Sequence, residues 1–102
     1  MKRKDLNKIK IAVLIASYNR CLSTIRCLKN LEKAKEDYFN MDIYLVDSNS
    51  TDNTVKKVRE NFPSVKIKIV DSDIYWNKAM NFVWDQSIQE KKAYNFFLWL
   101  NN

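Results

Sequence analysis

Apolar residues fall along the chain in a regular alternation of runs and stripes. Ile9–Ala16 reads Ile-Lys-Ile-Ala-Val-Leu-Ile-Ala and is unbroken from Ile11, the pattern of a strand covered on both faces of a sheet. From Arg20 to about Glu36, Leu22, Ile25, Leu28 and Leu31 recur every three residues among Lys and Glu, predicting a helix with one buried stripe. Met41–Val46 reads as a second strand. An all-polar octet, Asp47–Thr54, then leads into a helix with Val55, Val58 and Phe62 facing inward and Pro63 ending it. Within the octet Ser50 or Thr51 is placed to cap that helix, with Asp52 in its first turn against the positive end of the dipole. Val65–Val70 alternates apolar residues with Lys66 and Lys68, which suits a strand at a sheet edge. A third helix, from about Asn77 to Gln89, carries Met80, Val83, Trp84 and Ile88 at helical spacing. Ala93–Leu100 is a fourth strand, apolar enough to be central.

Strands alternating with helix-length crossovers predict an α/β fold with a parallel sheet and helices on both faces. The sequence stops at Asn101-Asn102, directly off the last strand, and so reads as a sheet truncated after its fourth strand. A sheet cut there would leave the fourth-strand edge uncovered near Trp99, an invitation to form a homodimer edge to edge.

Composition narrows the picture. At 102 residues the chain is one domain, and 46% hydrophobic residues argue for a folded unit. The longest apolar run, Phe96–Leu100, is far shorter than the roughly 18 residues of a membrane span. Residues 1–8 form a basic arm with no apolar stretch of the signal-peptide kind behind it, which points to a cytoplasmic chain. That arm reads as a solvated tail or as a contact for nucleic acid or lipid. Cys21 and Cys27 lie about 240° apart around one helix and cannot pair with each other, so they read as small hydrophobes kept reduced. The sequence has no His, which excludes Cys/His zinc sites and His-based triads. It also has no Gly, which excludes glycine-rich phosphate loops and leaves left-handed turn positions to Asn or Asp.

Ligands of open parallel sheets bind beyond the carboxyl ends of the strands. The loops there are Ser17-Tyr18-Asn19-Arg20, Asp47–Asn53, Asp71–Asn77 and Asn101-Asn102. They offer an aromatic platform (Tyr18), carboxylates (Asp47, Asp71, Asp73) and cations (Arg20, Lys78), an inventory suited to a base, a ribose and a diphosphate.

These residues resemble family 2 glycosyltransferases of the GT-A fold. Ile11–Arg20 is similar to that family's opening strand and (T/S)-Y-N-R turn, and the octet after Leu45-Val46 to its V-D-(D/N)-G-S-T-D-G-T. Trp76–Asn81 resembles its G-G-x-N segment, and Phe97–Asn102 the strand that leads into its D-x-D metal motif. The resemblance implies a Rossmann-like three-layer sheet over 9–102, the nucleotide-sugar-binding half of a catalytic domain. It places Ser17, Tyr18, Arg20, Asp47, Ser48 and Asn102 at the nucleotide, with Tyr18 stacking on uracil or thymine; Tyr18 as a core aromatic is the rival reading. Ser48 stands where many members carry a second Asp that reads the base. Asp47 is either a ligand contact or a loop-capping carboxylate, and Asp52 reads as a helix-start residue rather than a ligand. Lys78 and Asn81 fall in the stretch facing the diphosphate sugar, Lys78 equally as a solvated charge, with Asn77, Ala79 and Met80 in place of small glycines.

The implied activity is transfer of sugar with inversion from a UDP- or dTDP-linked donor to the hydroxyl of a glycan acceptor, as in cell-surface polysaccharide synthesis. The implied cofactor is Mn2+ or Mg2+, on an Asp beyond residue 102, and the catalytic base also falls outside the chain, so the fragment itself is expected to be inactive. Peripheral association with the inner face of a membrane is compatible with this reading, and a nucleic-acid partner is not expected. Two other classes fit the composition less well. One is a receiver-like or other non-catalytic nucleotide-binding α/β domain, against which stands the lack of an acidic pair after the first strand. The other is a basic nucleic-acid-binding module, against which stands a charge spread over tail, helices and edge strand.

Overall fold

The computed structural model describes residues 9–34, 39–71, 76–89 and 94–100. Asn102 and Asp73, named above as site residues, and the basic arm 1–8 lie outside the described residues. Seven elements follow one another: β1 (Ile9–Ser17), α1 (Cys21–Lys33), β2 (Phe39–Asp47), α2 (Thr54–Asn61), β3 (Lys66–Ile69), α3 (Trp76–Gln89) and β4 (Phe96–Leu100). All strand pairs are parallel, in the order β3-β2-β1-β4, with Ile9 to Ser17 opposite Phe39 to Asp47 residue for residue. The predicted α/β architecture is the one observed.

Because side chains alternate across a strand, β1 feeds two cores. Val13 and Ile15 join Ile43 and Leu45 of β2, Leu28 and Leu31 of α1, and Val58 of α2 in one. Ala12 and Leu14 join Tyr44, Val46 and Met80 of α3 in the other. Helices α1 and α2 therefore cover one face and α3 the opposite one. On the α3 face Tyr94 donates to Asp42 Oδ2 at 2.6 Å, so the 2.7 Å contact between the two phenols has Tyr44 as its donor. Burial, reinforced by these bonds to Asp42 and Tyr44, holds the Tyr94 phenol well above its ordinary pKa. The chain Tyr44–Tyr94–Asp42 pins the lead-in to β4 beneath the sheet.

Three expectations need correction. β4 is not central: among the described residues it pairs with β1 alone, and Phe96 and Leu98 on its α1-side face are exposed. Leu22 is not part of the buried stripe of α1 but 80% exposed, and Ile88 of α3 is exposed as well. Helix α2 starts at Thr54, later than a Ser50 or Thr51 cap would require, so Asp52 precedes the helix rather than lying in its first turn. The edge position of β3 and the break at Pro63 are as predicted, with α2 ending at Asn61.

Candidate functional site

The carboxyl ends of β1 and β2 lie side by side, and the two loops that leave them are tied to each other. Ser17 and Asp47 are the last residues of their strands rather than loop residues. The Ser17 hydroxyl donates to Asp47 Oδ1 at 2.8 Å, the Ser50 hydroxyl donates to the same oxygen at 2.6 Å, and the Ser50 N–H reaches Oδ2 at 2.7 Å. Asp47 is fully buried. Its side chain thus braces both loops from below. The Ser48 N–H continues the sheet by donating to the Ser17 carbonyl at 3.0 Å, and Ser48 is itself buried.

A second layer of bonds lies above. Asn19 turns in the left-handed region, φ 49°, and its side-chain oxygen accepts from the Thr51 N–H at 2.7 Å and the Asp52 N–H at 3.3 Å. Its own N–H donates to Ser50 Oγ at 2.9 Å. Asn49 is the other left-handed residue, φ 60°. In a chain without glycine, both left-handed positions among the described residues fall to Asn, whose short polar side chain tolerates that conformation best after Gly.

Asp52 joins the starts of the two helices on this face. Its Oδ1 accepts from the Thr54 N–H at 3.0 Å and from the Thr54 hydroxyl, while Oδ2 accepts from the Cys21 N–H at 3.3 Å. One carboxylate thereby serves the first N–H of α2 and of α1, where the helix dipoles favour a negative charge. The Thr54 hydroxyl bond is the main reason that the Asp52 pKa lies below the ordinary carboxylate value. A depressed pKa in the folded chain means that Asp52 contributes stability at neutral pH and loses it on acidification below about pH 4. Thr54→Val, which keeps the buried shape but removes the donor, is expected to raise the Asp52 pKa toward its ordinary value in an NMR titration. An unmoved pKa would count against the assignment.

With Asp47, Ser50 and Asp52 engaged internally, the groups that face outward are others. Tyr18 is half-exposed, 47%, on the rim above Ser17, which rules out the core-aromatic reading, and Arg20 is exposed just before α1. Lys78 and Asn81 are exposed in the first two turns of α3, on the other face of the sheet, and no described bond ties them to the braced loops. Asp71 is exposed beyond the end of β3. The structure brings Ser17, Asp47 and Ser48 together, and sets Tyr18 and Arg20 above them. The sequence named Asn19 as part of the first loop and Ser50 as a helix cap, but not as the residues that tie the two loops together. For Asn19 the available signal was the missing glycine, which leaves left-handed backbone positions to Asn or Asp.

A family model, glycosyl transferase family 2, matches residues 12–99. The chain belongs to glycosyl transferase family 2. Four of the motif stretches noted above fall in this span or run out of its two ends. Among solved structures the fold is similar to that of a mannosyltransferase, PcManGT, from Pyrobaculum calidifontis, solved in complex with GDP-Man and Mn2+, at 22% identity and a TM-score of 0.53. The match covers 83% of this chain and 25% of the mannosyltransferase, so the chain spans about a quarter of that protein's length. No curated protein matches the chain. For a family 2 member the GT-A arrangement accounts for the parallel sheet and for the rim at the carboxyl ends of β1 and β2. Among the described residues no three carboxylate, thiol or imidazole groups cluster closely enough to hold a metal ion, so these residues do not form a cation site by themselves.

Proposed function

We propose that this chain is the donor-binding part of an inverting glycosyltransferase, taking a nucleotide-diphospho-sugar on the rim above Ser17 and Asp47. The observation that carries the reading is the braced pair of loops in a family 2 chain, with the Tyr18 ring exposed on top. A planar base stacks on that ring, and Arg20 offers a fixed positive charge for the anionic remainder of the donor. The buried Ser17–Asp47–Ser50 cluster works from beneath: it fixes the loop path, so that stacking costs little ordering of the protein.

The base is read as uracil or thymine. The mannosyltransferase of similar fold carries a guanine nucleotide, so GDP belongs in any test of base choice. Ser48 is buried with its N–H bonded to Ser17, which leaves no second carboxylate beside Asp47 to select the base. A divalent cation belongs to the whole enzyme; when bound it would neutralise the diphosphate leaving group. The residues in hand bind and orient the donor, and the step that deprotonates the acceptor hydroxyl needs a carboxylate free to reach it. Asp47 is buried and Asp52 holds two helix starts, so neither is that base, while Asp71 is exposed beyond β3; we propose that no turnover occurs with these 102 residues alone, and Asp71 is the first residue to replace should turnover be seen. The acceptor is read as a glycan hydroxyl at a growing surface polysaccharide.

The test is a titration of the chain with UDP, dTDP, GDP and ADP, followed by ligand-observed NMR, in parallel with Tyr18→Ala. Loss of a stacked base costs about 1–3 kcal/mol, so the variant is expected to bind the preferred nucleotide about tenfold more weakly with its fold unchanged. Equal binding by Tyr18→Ala, or no binding by a folded chain, would overturn the reading.

A further inference from the structure

The outer side of α1 is unlike that of an ordinary solvated helix. Thr24, Leu28 and Leu31 mark its buried direction. At about 100° per residue, Leu22, Arg26 and Lys33 lie within about 30° of the opposite direction and Lys29 about 45° from it. All four are exposed, and Leu22 is 80% so. Between them Leu22, Ile25, Arg26 and Lys29 enclose a shallow hollow of about 240 Å³. Helix α2 lies beside α1 on the same face of the sheet and adds Lys56, Lys57 and Arg59, all exposed. Against these six cations the exposed acids of the two helices are Glu32 and Glu60. Two short helices thus hold +4 of the formal +6 of the whole chain.

We infer that the outer face of α1 and α2 is a docking surface for an anionic phospholipid bilayer. The argument is charge complementarity joined to shape. A headgroup phosphate matches the two cations at the hollow, and the root of an acyl chain matches Leu22 and Ile25 beside them. Long Lys and Arg stems lie along apolar surface while their charges stay at the headgroup level. A row of exposed cations beside an 80% exposed Leu suits an anionic surface with an apolar interior, whereas duplex nucleic acid offers no apolar layer for that side chain. Leu22 lies only three residues from Asn19, so docking by this face would hold the rim of the candidate site close to the bilayer surface. The inference does not depend on the proposed function: a chain that failed to bind nucleotides would still present this face.

The experiment is co-sedimentation of the 102-residue chain at low salt with vesicles of phosphatidylcholine alone and of phosphatidylcholine with phosphatidylglycerol. Two charge-matched variants are compared, R26E/K29E in this row and K10E/K68E elsewhere, with circular dichroism as the check on folding. At about 1 kcal/mol per basic residue near an anionic surface, the R26E/K29E variant is expected to bind at least about 30-fold more weakly, the other within about 3-fold of the parent. Leu22→Ser is expected to cost a further 5-fold or so at unchanged charge. Binding to the anionic vesicles is also expected to fall steeply with salt. Equal losses in the two charge variants, equal binding to neutral vesicles, or no sedimentation would each overturn the proposal. Tighter binding of a duplex oligonucleotide than of the anionic vesicles would overturn it too, and would assign the face to nucleic acid.

Discussion

Asp47→Ala is expected to lower the free energy of unfolding by about 3–4 kcal/mol, a large share of the stability of a domain of this size. The substitution removes three acceptor contacts at once, from the Ser17 hydroxyl, the Ser50 hydroxyl and the Ser50 N–H. Hydrogen bonds to a charged acceptor are each worth about 1.5–3 kcal/mol net, and donors left buried without partners add their own penalty. Water relieves part of this, since Ser50 is only half-buried. Asp47→Asn tests the argument more finely. Asn keeps one oxygen for the two hydroxyls but turns an NH2 group toward the Ser50 N–H, a donor facing a donor, so about half of the loss is expected. Urea unfolding of both variants measures the pair. A loss below about 1 kcal/mol for Asp47→Ala would mean that the loops hold together without their brace.

The second large effect distinguishes two leucines of one helix. Leu28→Ala is expected to cost about 3 kcal/mol, because Leu28 is fully buried in the core formed with β1, β2 and α2 and would leave a cavity there. Leu22→Ala is expected to change stability by less than about 0.5 kcal/mol, since the side chain is 80% exposed. The same denaturation experiment reads both. A comparable cost at the two sites would contradict the orientation of α1.

These leucines also show where the sequence was legible. The order of strands and helices, the parallel sheet and the covered central strand could be read from Ile11–Ala16 and from helix-length crossovers, because a parallel pair demands them. The stripe Leu22, Ile25, Leu28, Leu31 could not be taken whole. Steps of three residues fall about 60° short of a full turn, so over nine residues the row winds halfway round the helix and Leu22 ends opposite Leu31. The apolar sequence of β4 suggested a central place, yet sequence alone does not say which strands flank it, and here Phe96 and Leu98 remain exposed. At the site, the loops and the candidate residues Ser17, Tyr18, Arg20, Asp47 and Ser48 were visible as polar segments after apolar runs. What composition hid was the division of labour. Nothing local in Asp47-Ser48-Asn49-Ser50 says that its acid turns inward to bond Ser17, a residue 30 positions earlier.

That separation sets the order in which the molecule can be made. The bonds that lace the two loops, from Ser17 to Asp47 and from Asn19 to Ser50, Thr51 and Asp52, join residues 30 to 33 positions apart. Closing such a span costs chain entropy that no local turn recovers, so the lacing waits until β1, α1 and β2 have docked as a unit. The rim assembles late in folding and opens early in partial unfolding. Amide hydrogen exchange should therefore find Ser50, Thr51 and Asp52 releasing their protons well before Leu14 and Leu45 in the middle of the sheet.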